Sequence, residues 1–259
     1  MPLEPSAALL TDRVAVVTGA AVGIGEAVAL AFANFGAHVA ICDRDVENLD
    51  RTADAVEKTG RRVVAAGLDV REVDQVDGFL EVVRDQFGHV DVLVNNAGGG
   101  FRASFLDVNA KGQDSLVREN FVSVTHFVRG VVPLVPDTGG SIINLTSIEA
   151  HRAAPGYGVY SAMKAAVANL TKTLALELGD RMIRVNCISP DVIPTPGIGV
   201  ELPMHTPMPR RGHVDDVAAA AVFLASDLGR FLTGTTIHVD GGNLAAGGWR
   251  RDEGGSFTT

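Results

Sequence analysis

The chain has 259 residues, 46% hydrophobic and 20% charged, with 22 basic and 31 acidic side chains and a formal net charge of −9. This balance excludes a disordered or collagen-like chain and allows one substantial core. No basic tract offers a footprint for phosphate backbones, and the acidic surplus disfavours an anionic membrane surface, so neither nucleic acid nor membrane is expected as a partner.

Apolar runs and helical spacings alternate along the chain. Residues 14–18 read as a first strand, 24–35 as a helix, 38–43 as a second strand and 46–58 as a second helix. A third strand is expected at 62–68, and 73–87 places Val73, Val76, Phe79, Leu80, Val83 and Phe87 at helical spacing. Then follow a strand at 90–94, a long helix within 115–133, a strand at 141–145, a long helix at 159–178, a strand at 183–188, a helix at 215–225 and a strand at 236–239. Strands apolar on both sides need cover on both faces. The expected fold is therefore α/β: a doubly wound Rossmann-type fold, with a mostly parallel seven-stranded sheet and helices on both faces.

No linker divides the chain before residue 190, so residues 1–259 read as a single domain. Residues 190–212 hold six of the 11 prolines and read as a flap over the active site, with an oligomer contact or a plain surface loop as alternatives. Residues 241–259, with glycine pairs at 241–242, 247–248 and 254–255, should cross the surface with little helix and end in mobile residues. Cys42 and Cys187 lie in apolar runs and read as inert buried thiols. The first residues lack a signal-peptide pattern and no long uncharged apolar run exists, so the expected location is cytoplasmic.

Between the first strand and helix, glycines fall at Gly19, Gly23 and Gly25, a GxxxGxG spacing. Missing side chains let the turn tighten and let the helix N-terminus approach a pyrophosphate, whose charge free N–H groups satisfy. Val22 and Ile24 fall in the same turn. Asp43 ends the second strand, where a carboxylate can accept from both adenosine ribose hydroxyls and repel a 2′-phosphate. NAD is thus expected over NADP, although Arg44 could grip a 2′-phosphate. The alternative for Asp43 is a strand-terminal cap.

Tyr160 and Lys164 stand one helical turn apart. A phenol titrates near pH 10, and a neighbouring ammonium should lower that value, so Tyr160 could exchange a proton with a substrate oxygen as hydride moves. Ser147 closes the fifth strand, where ligands bind in such sheets, and could hydrogen-bond the reacting oxygen. Asn120 is an amide inside a helix and needs a partner, such as a water near Lys164.

With these residues in register, the chain resembles the short-chain dehydrogenase/reductase family over residues 12–242. The resemblance implies a catalytic tetrad of Asn120, Ser147, Tyr160 and Lys164: Tyr160 as acid/base, Ser147 orienting the oxygen, Lys164 lowering the tyrosine pKa and binding the nicotinamide ribose, and Asn120 holding a relay water. It implies that Asp69 and Val70 contact the adenine, and that Asn96, Ala97 and Gly98, after Asn95, line the cofactor cleft. Pro190, Ile193 and Thr195 would meet the nicotinamide, but Asp191 stands where the family usually has glycine. A homotetramer is implied as well.

The substrate cleft would take Gly99, Gly100, Phe101, Ile148, Glu149, His151, Tyr157, Asp191, Val192, Met204 and Met208. Glu149 reads either as a solvated loop acid or as an acceptor for a substrate hydroxyl. The expected function is hydride transfer between NAD and a small or medium secondary alcohol or ketone. The alternatives are an NADPH-dependent 3-oxoacyl thioester reductase and a non-catalytic nucleotide sensor. Histidines are scattered and no metal motif occurs, so no metal is expected.

Overall fold

The computed structural model describes residues 3–197, 199, 206–251 and 257–258. The strands are β1 (Val14–Thr18), β2 (His38–Asp43), β3 (Val63–Gly67), β4 (Val92–Asn95), β5 (Gly140–Leu145), β6 (Ile183–Pro190) and β7 (Thr236–Val239). They form one seven-stranded sheet in the order β3-β2-β1-β4-β5-β6-β7, with every neighbouring pair parallel. The strand order reverses between β1 and β4, which opens a crevice at their C-terminal ends.

The helices are α1 (Gly23–Asn34), α2 (Val46–Glu57), α3 (Val73–Phe87), α4 (Ala110–Val117), α5 (Ser123–Val131), α6 (Gly158–Glu177) and α7 (Val214–Ala225). Strand β1 shows why the apolar runs are continuous. Ala15 and Val17 join a core built with α1, α2 and α7, whereas Val16 faces the opposite core with α3, α5 and α6. Strands β2, β4 and β5 alternate in the same way, so each strand spends both faces on apolar contacts. None of the described helices is long and apolar enough to cross a membrane.

The expected long helix within 115–133 is present but not α-helical throughout. It begins earlier, as α4, passes through a π turn at Arg118–Val122 and resumes as α5. The buried positions Leu116, Asn120, Val124, Phe127, Val128 and Val131 keep spacings of three and four through this turn, so periodicity alone does not reveal it. Beyond β7 a four-residue helix, α8 (Asn243–Ala246), sits between left-handed Gly242 and Gly247. Two two-residue strands, β8 (Arg250–Arg251) and β9 (Phe257–Thr258), pair antiparallel, and segments that short carry no readable period. The expected mobility of the last residues falls largely outside the described residues, as does the middle of the proline-rich segment.

The described ends of that segment are anchored. Thr195 bridges Gly199, the Met208 N–H donates to the Gly241 carbonyl (3.1 Å), and Arg210 pairs twice with Asp216 on α7 (2.7 and 2.8 Å). Both cysteines are buried and free.

A buried polar chain ties β4 and β5 to α6: Asn95 Nδ2 donates to Asn144 Oδ1, and Asn144 Nδ2 donates to the Thr171 hydroxyl, each at 2.8 Å. Asn144→Ala would strand two buried partners and should cost about 2–4 kcal/mol. The expected result is a lower urea midpoint at unchanged slope; an unshifted midpoint would contradict this role.

Candidate active site

The turn from β1 into α1 permits no side chains at its glycines. A Cβ on Gly25 would lie 2.0 Å from the Gly19 carbonyl oxygen. Asn96 Nδ2 donates to the carbonyls of Thr18 and Gly19, both at 2.9 Å, while the buried Thr18 hydroxyl accepts from the N–H groups of Asn96 (3.0 Å) and Ala97 (2.9 Å). These bonds fasten β1 to β4 at the crevice. Helix α1 follows Val22 without any side-chain cap, leaving the first-turn N–H groups around Gly23 and Ile24 for an anion.

Asp43 overhangs this turn. Its carboxylate accepts from the N–H groups of Ala21 and Asp45, each at 3.1 Å. Arg44 reaches instead to Glu119 on the π turn, at 3.1 Å. Asp69, expected at the adenine, is gripped by Arg71, whose Nε donates to both carboxylate oxygens (2.9 and 3.0 Å). The guanidinium holds the Asp69 carboxyl below the usual carboxylate range. An adenine contact from this side chain must therefore be shared with Arg71. Val70 beside it is buried.

Ser147, Tyr160, Lys164 and Asn120 converge at the C-terminal edge of the sheet. The Ser147 hydroxyl accepts from the Glu149 N–H (3.2 Å) and lies beside the Tyr160 phenol, whose pKa it draws down. Lys164 is only 5% exposed and donates to the Leu145 carbonyl at the end of β5 (2.9 Å). Asn120 is fully buried on the π turn. Its Oδ1 accepts from the Gly99 N–H (3.2 Å), and its Nδ2 donates to the carbonyls of Gly99 (2.8 Å) and Leu116 (3.0 Å). These backbone groups are the protein partners of the amide. Gly98 threads between Asn120 and Lys164: a Cβ there would lie 2.8 Å from Asn120 Oδ1 and 3.0 Å from Lys164 Nζ.

One electrostatic expectation needs correction. With protein groups alone around it, burial pushes the Tyr160 phenol above its ordinary value, the Ser147 hydroxyl opposes this, and Glu149 adds to it. The lysine does not reverse the shift. Its Nζ lies 5.7 Å from the tyrosine ring centre and is tied to Leu145, and burial lowers its own pKa to about 8.

Asp191, where the family usually has glycine, directly follows β6 and is largely enclosed. It is 9% exposed, accepts from Asn243 Nδ2 of α8 (2.7 Å) and lies 3.9 Å from Arg152. Arg152 chelates Glu149 through two donors (2.8 and 3.3 Å), so the expected hydroxyl acceptor is already engaged. His151 stacks edge-on against His238 at 4.9 Å, and burial lowers its pKa. Phe101, Tyr157 and Val192 are exposed, whereas Ile148 and Ile193 are buried. Thr195 follows Pro190 and Ile193 out of β6 and packs on the glycine turn, where a Cβ on Gly23 would lie 3.0 Å from its methyl. Met208 lines a cavity of about 360 Å³ beside Asp191 and Val192, and Met204 lies outside the described residues. Sequence reasoning missed Arg152, Asn243 and Glu119, whose partners or roles depend on contacts that no spacing reveals.

A family model described as enoyl-(acyl carrier protein) reductase matches residues 19–243. The chain is 37% identical over 242 residues to a 3-oxoacyl-(acyl-carrier-protein) reductase of Thermotoga maritima, covering 90% of this chain and 98% of that one. It superposes with a TM-score of 0.88 on a 7α-hydroxysteroid dehydrogenase solved with NADH and 7-oxo glycochenodeoxycholic acid, at 30% identity, covering 93% and 98% of the two chains. The TM-score is 0.86 to an L-sorbose reductase of Gluconobacter frateurii solved with NADPH and L-sorbose, at 33% identity, covering 91% and 98%. The chain belongs to the short-chain dehydrogenase/reductase family and is an oxidoreductase that takes a nicotinamide cofactor.

Asp191→Gly would cut the Asn243 link while leaving Arg152 on Glu149. Amide hydrogen exchange should then quicken across 243–246 with β1 and β4 unaffected; unchanged exchange there would mean that Asp191 does not anchor α8.

Proposed function

We propose that this chain is an NAD-dependent dehydrogenase/reductase that interconverts a small or medium secondary alcohol and its ketone, acting as one catalytic unit over residues 1–259. The observation that carries the reading is the convergence of the Ser147–Tyr160 hydroxyl pair with the buried Lys164 beside an uncapped helix N-terminus. The glycine turn, the α1 N-terminus and the cleft wall of Asn96, Ala97 and Gly98 suit a pyrophosphate and its riboses. The nicotinamide, when bound, supplies the hydride acceptor or donor.

In oxidation, Tyr160 takes the alcohol proton as hydride leaves the carbinol carbon; in reduction it returns that proton to the carbonyl oxygen. Ser147 orients the oxygen. Lys164 is placed to bind the nicotinamide ribose, and Asn120 fixes the Gly98–Gly99 wall and holds a relay water. Asp43 supports the NAD preference, because its carboxylate faces the turn with backbone donors and would repel a 2′-phosphate. Pro190, Ile193 and Thr195 would border the nicotinamide, and Glu149, Tyr157, Asp191 and Val192 the substrate. We read the protein as a cytoplasmic homotetramer, supported by exposed Phe105 and Leu106 just ahead of α4; light scattering near 27.1 kDa would contradict the oligomer.

The Thermotoga relative favours a second reading, an NADPH-dependent 3-oxoacyl thioester reductase. A screen of secondary alcohols, polyols, hydroxysteroids and 3-oxoacyl thioesters, following reduced nicotinamide by absorbance, separates the two. Turnover of alcohols with NAD supports the first reading, and preferred turnover of thioesters with NADPH replaces it. Tyr160→Phe should lower kcat by roughly 100-fold or more while leaving NAD binding intact. Because oxidation needs the unprotonated phenol and burial raises its pKa, oxidation should climb with pH through neutrality, about tenfold per unit below the ionisation. A flat profile would remove Tyr160 as the base.

A further inference from the structure

The nucleotide end carries an ion pair that the proposed reaction leaves without a role. Arg44 follows Asp43 at the end of β2, and its guanidinium meets the Glu119 carboxylate at 3.1 Å. Glu119 immediately precedes Asn120 and overlooks the exit of β4, since a Cβ on Gly99 would lie 3.9 Å from its Oε1. In the sheet β1 lies between β2 and β4. The pair therefore spans the crevice across the end of β1, where the glycine turn sits.

The other guanidinium here, Arg71, is committed to Asp69 and to the Ser115 hydroxyl (3.2 Å). Arg44 is thus the cation adjacent to Asp43 in sequence, and Glu119 neutralises it. Glu119 is the better shielded partner, with its side chain 20% exposed against 56% for Arg44. The acid is a fixed anchor, and the arginine is the group it holds.

We propose that Glu119 is a cofactor-specificity residue: by holding Arg44 in an ion pair across the crevice, it denies a 2′-phosphate its nearest cation and reinforces the selection of NAD at Asp43. A freed guanidinium matches a phosphate with two parallel donors. The inference rests on the NAD reading above. It adds that the preference is set on two elements, β2 and the π turn, and that the part set by the π turn can be removed without touching Asp43.

The test is calorimetric binding of NAD and of NADP to the full-length protein, its Glu119→Gln variant and the Arg44→Gln/Glu119→Gln double variant. Glu119→Gln should tighten NADP by roughly tenfold, one charge-assisted contact, with NAD changed less than about twofold, and the double variant should lose the gain. Glu119→Ala, which has no side-chain amide to retain Arg44, should behave as Glu119→Gln does. A wild-type preference for NAD with no NADP gain in either single variant overturns the role of Glu119 and leaves the NAD reading standing. A gain that survives in the double variant also overturns it, because Arg44 is then not the receiving group. Equal affinity of the wild type for both cofactors overturns the NAD reading itself.

Discussion

A buried ammonium organises this site. Lys164 is withdrawn almost wholly from water and has the Leu145 carbonyl, at the end of β5, as its hydrogen-bond acceptor. Burial of a charge is costly, and here it draws the lysine pKa down to about 8. The surroundings conform to it. Gly98 must lack a side chain to pass between Lys164 and Asn120, the π turn turns Asn120 inward, and Tyr160 sits one turn earlier on α6. The linkage has a definite sign. The folded lysine titrates near 8 and the unfolded one near 10.5, so its contribution to stability is unfavourable below pH 8 and is relieved as pH rises across that window.

Around the ammonium, the charges at the rim are paired in advance. Arg44 meets Glu119, Arg71 meets Asp69, and Arg152 meets Glu149. Among the described residues, Asp43 differs: its carboxylate hydrogen bonds come from backbone N–H groups, so its charge stays uncompensated above the glycine turn. Exposed pairs of this kind add little to stability. Their consequence lies in deciding which charges a ligand meets on entry.

The fold was legible because β1, β2, β4 and β5 are apolar on both faces, which only a doubly covered sheet satisfies, and because α3 holds strict helical spacing over Val73–Phe87. Tyr160, Lys164 and Ser147 were legible as a turn of helix facing a strand end. The π turn was not, since the buried positions on either side of it keep ordinary helical spacing. Asn120 still betrayed itself as a buried amide needing partners, although those partners are backbone groups. Asp191 stood out as a departure, but its bond to Asn243 depends on how the chain returns past β7. Spacing places a cation one turn from Tyr160 but does not show the burial that raises its phenol pKa.

Burial raises the Tyr160 phenol above its ordinary pKa, and the proposed reading requires bound NAD, whose nicotinamide is cationic, to bring it down. The chain has two tyrosines, so Tyr157→Phe leaves Tyr160 as the sole phenol. Ultraviolet titration of phenolate in that variant, without and with NAD, measures the ionisation directly. Ionisation is expected above pH 10 without NAD, moving downward when NAD is bound. Ionisation already below pH 10 without NAD, or no movement on adding it, would contradict the account.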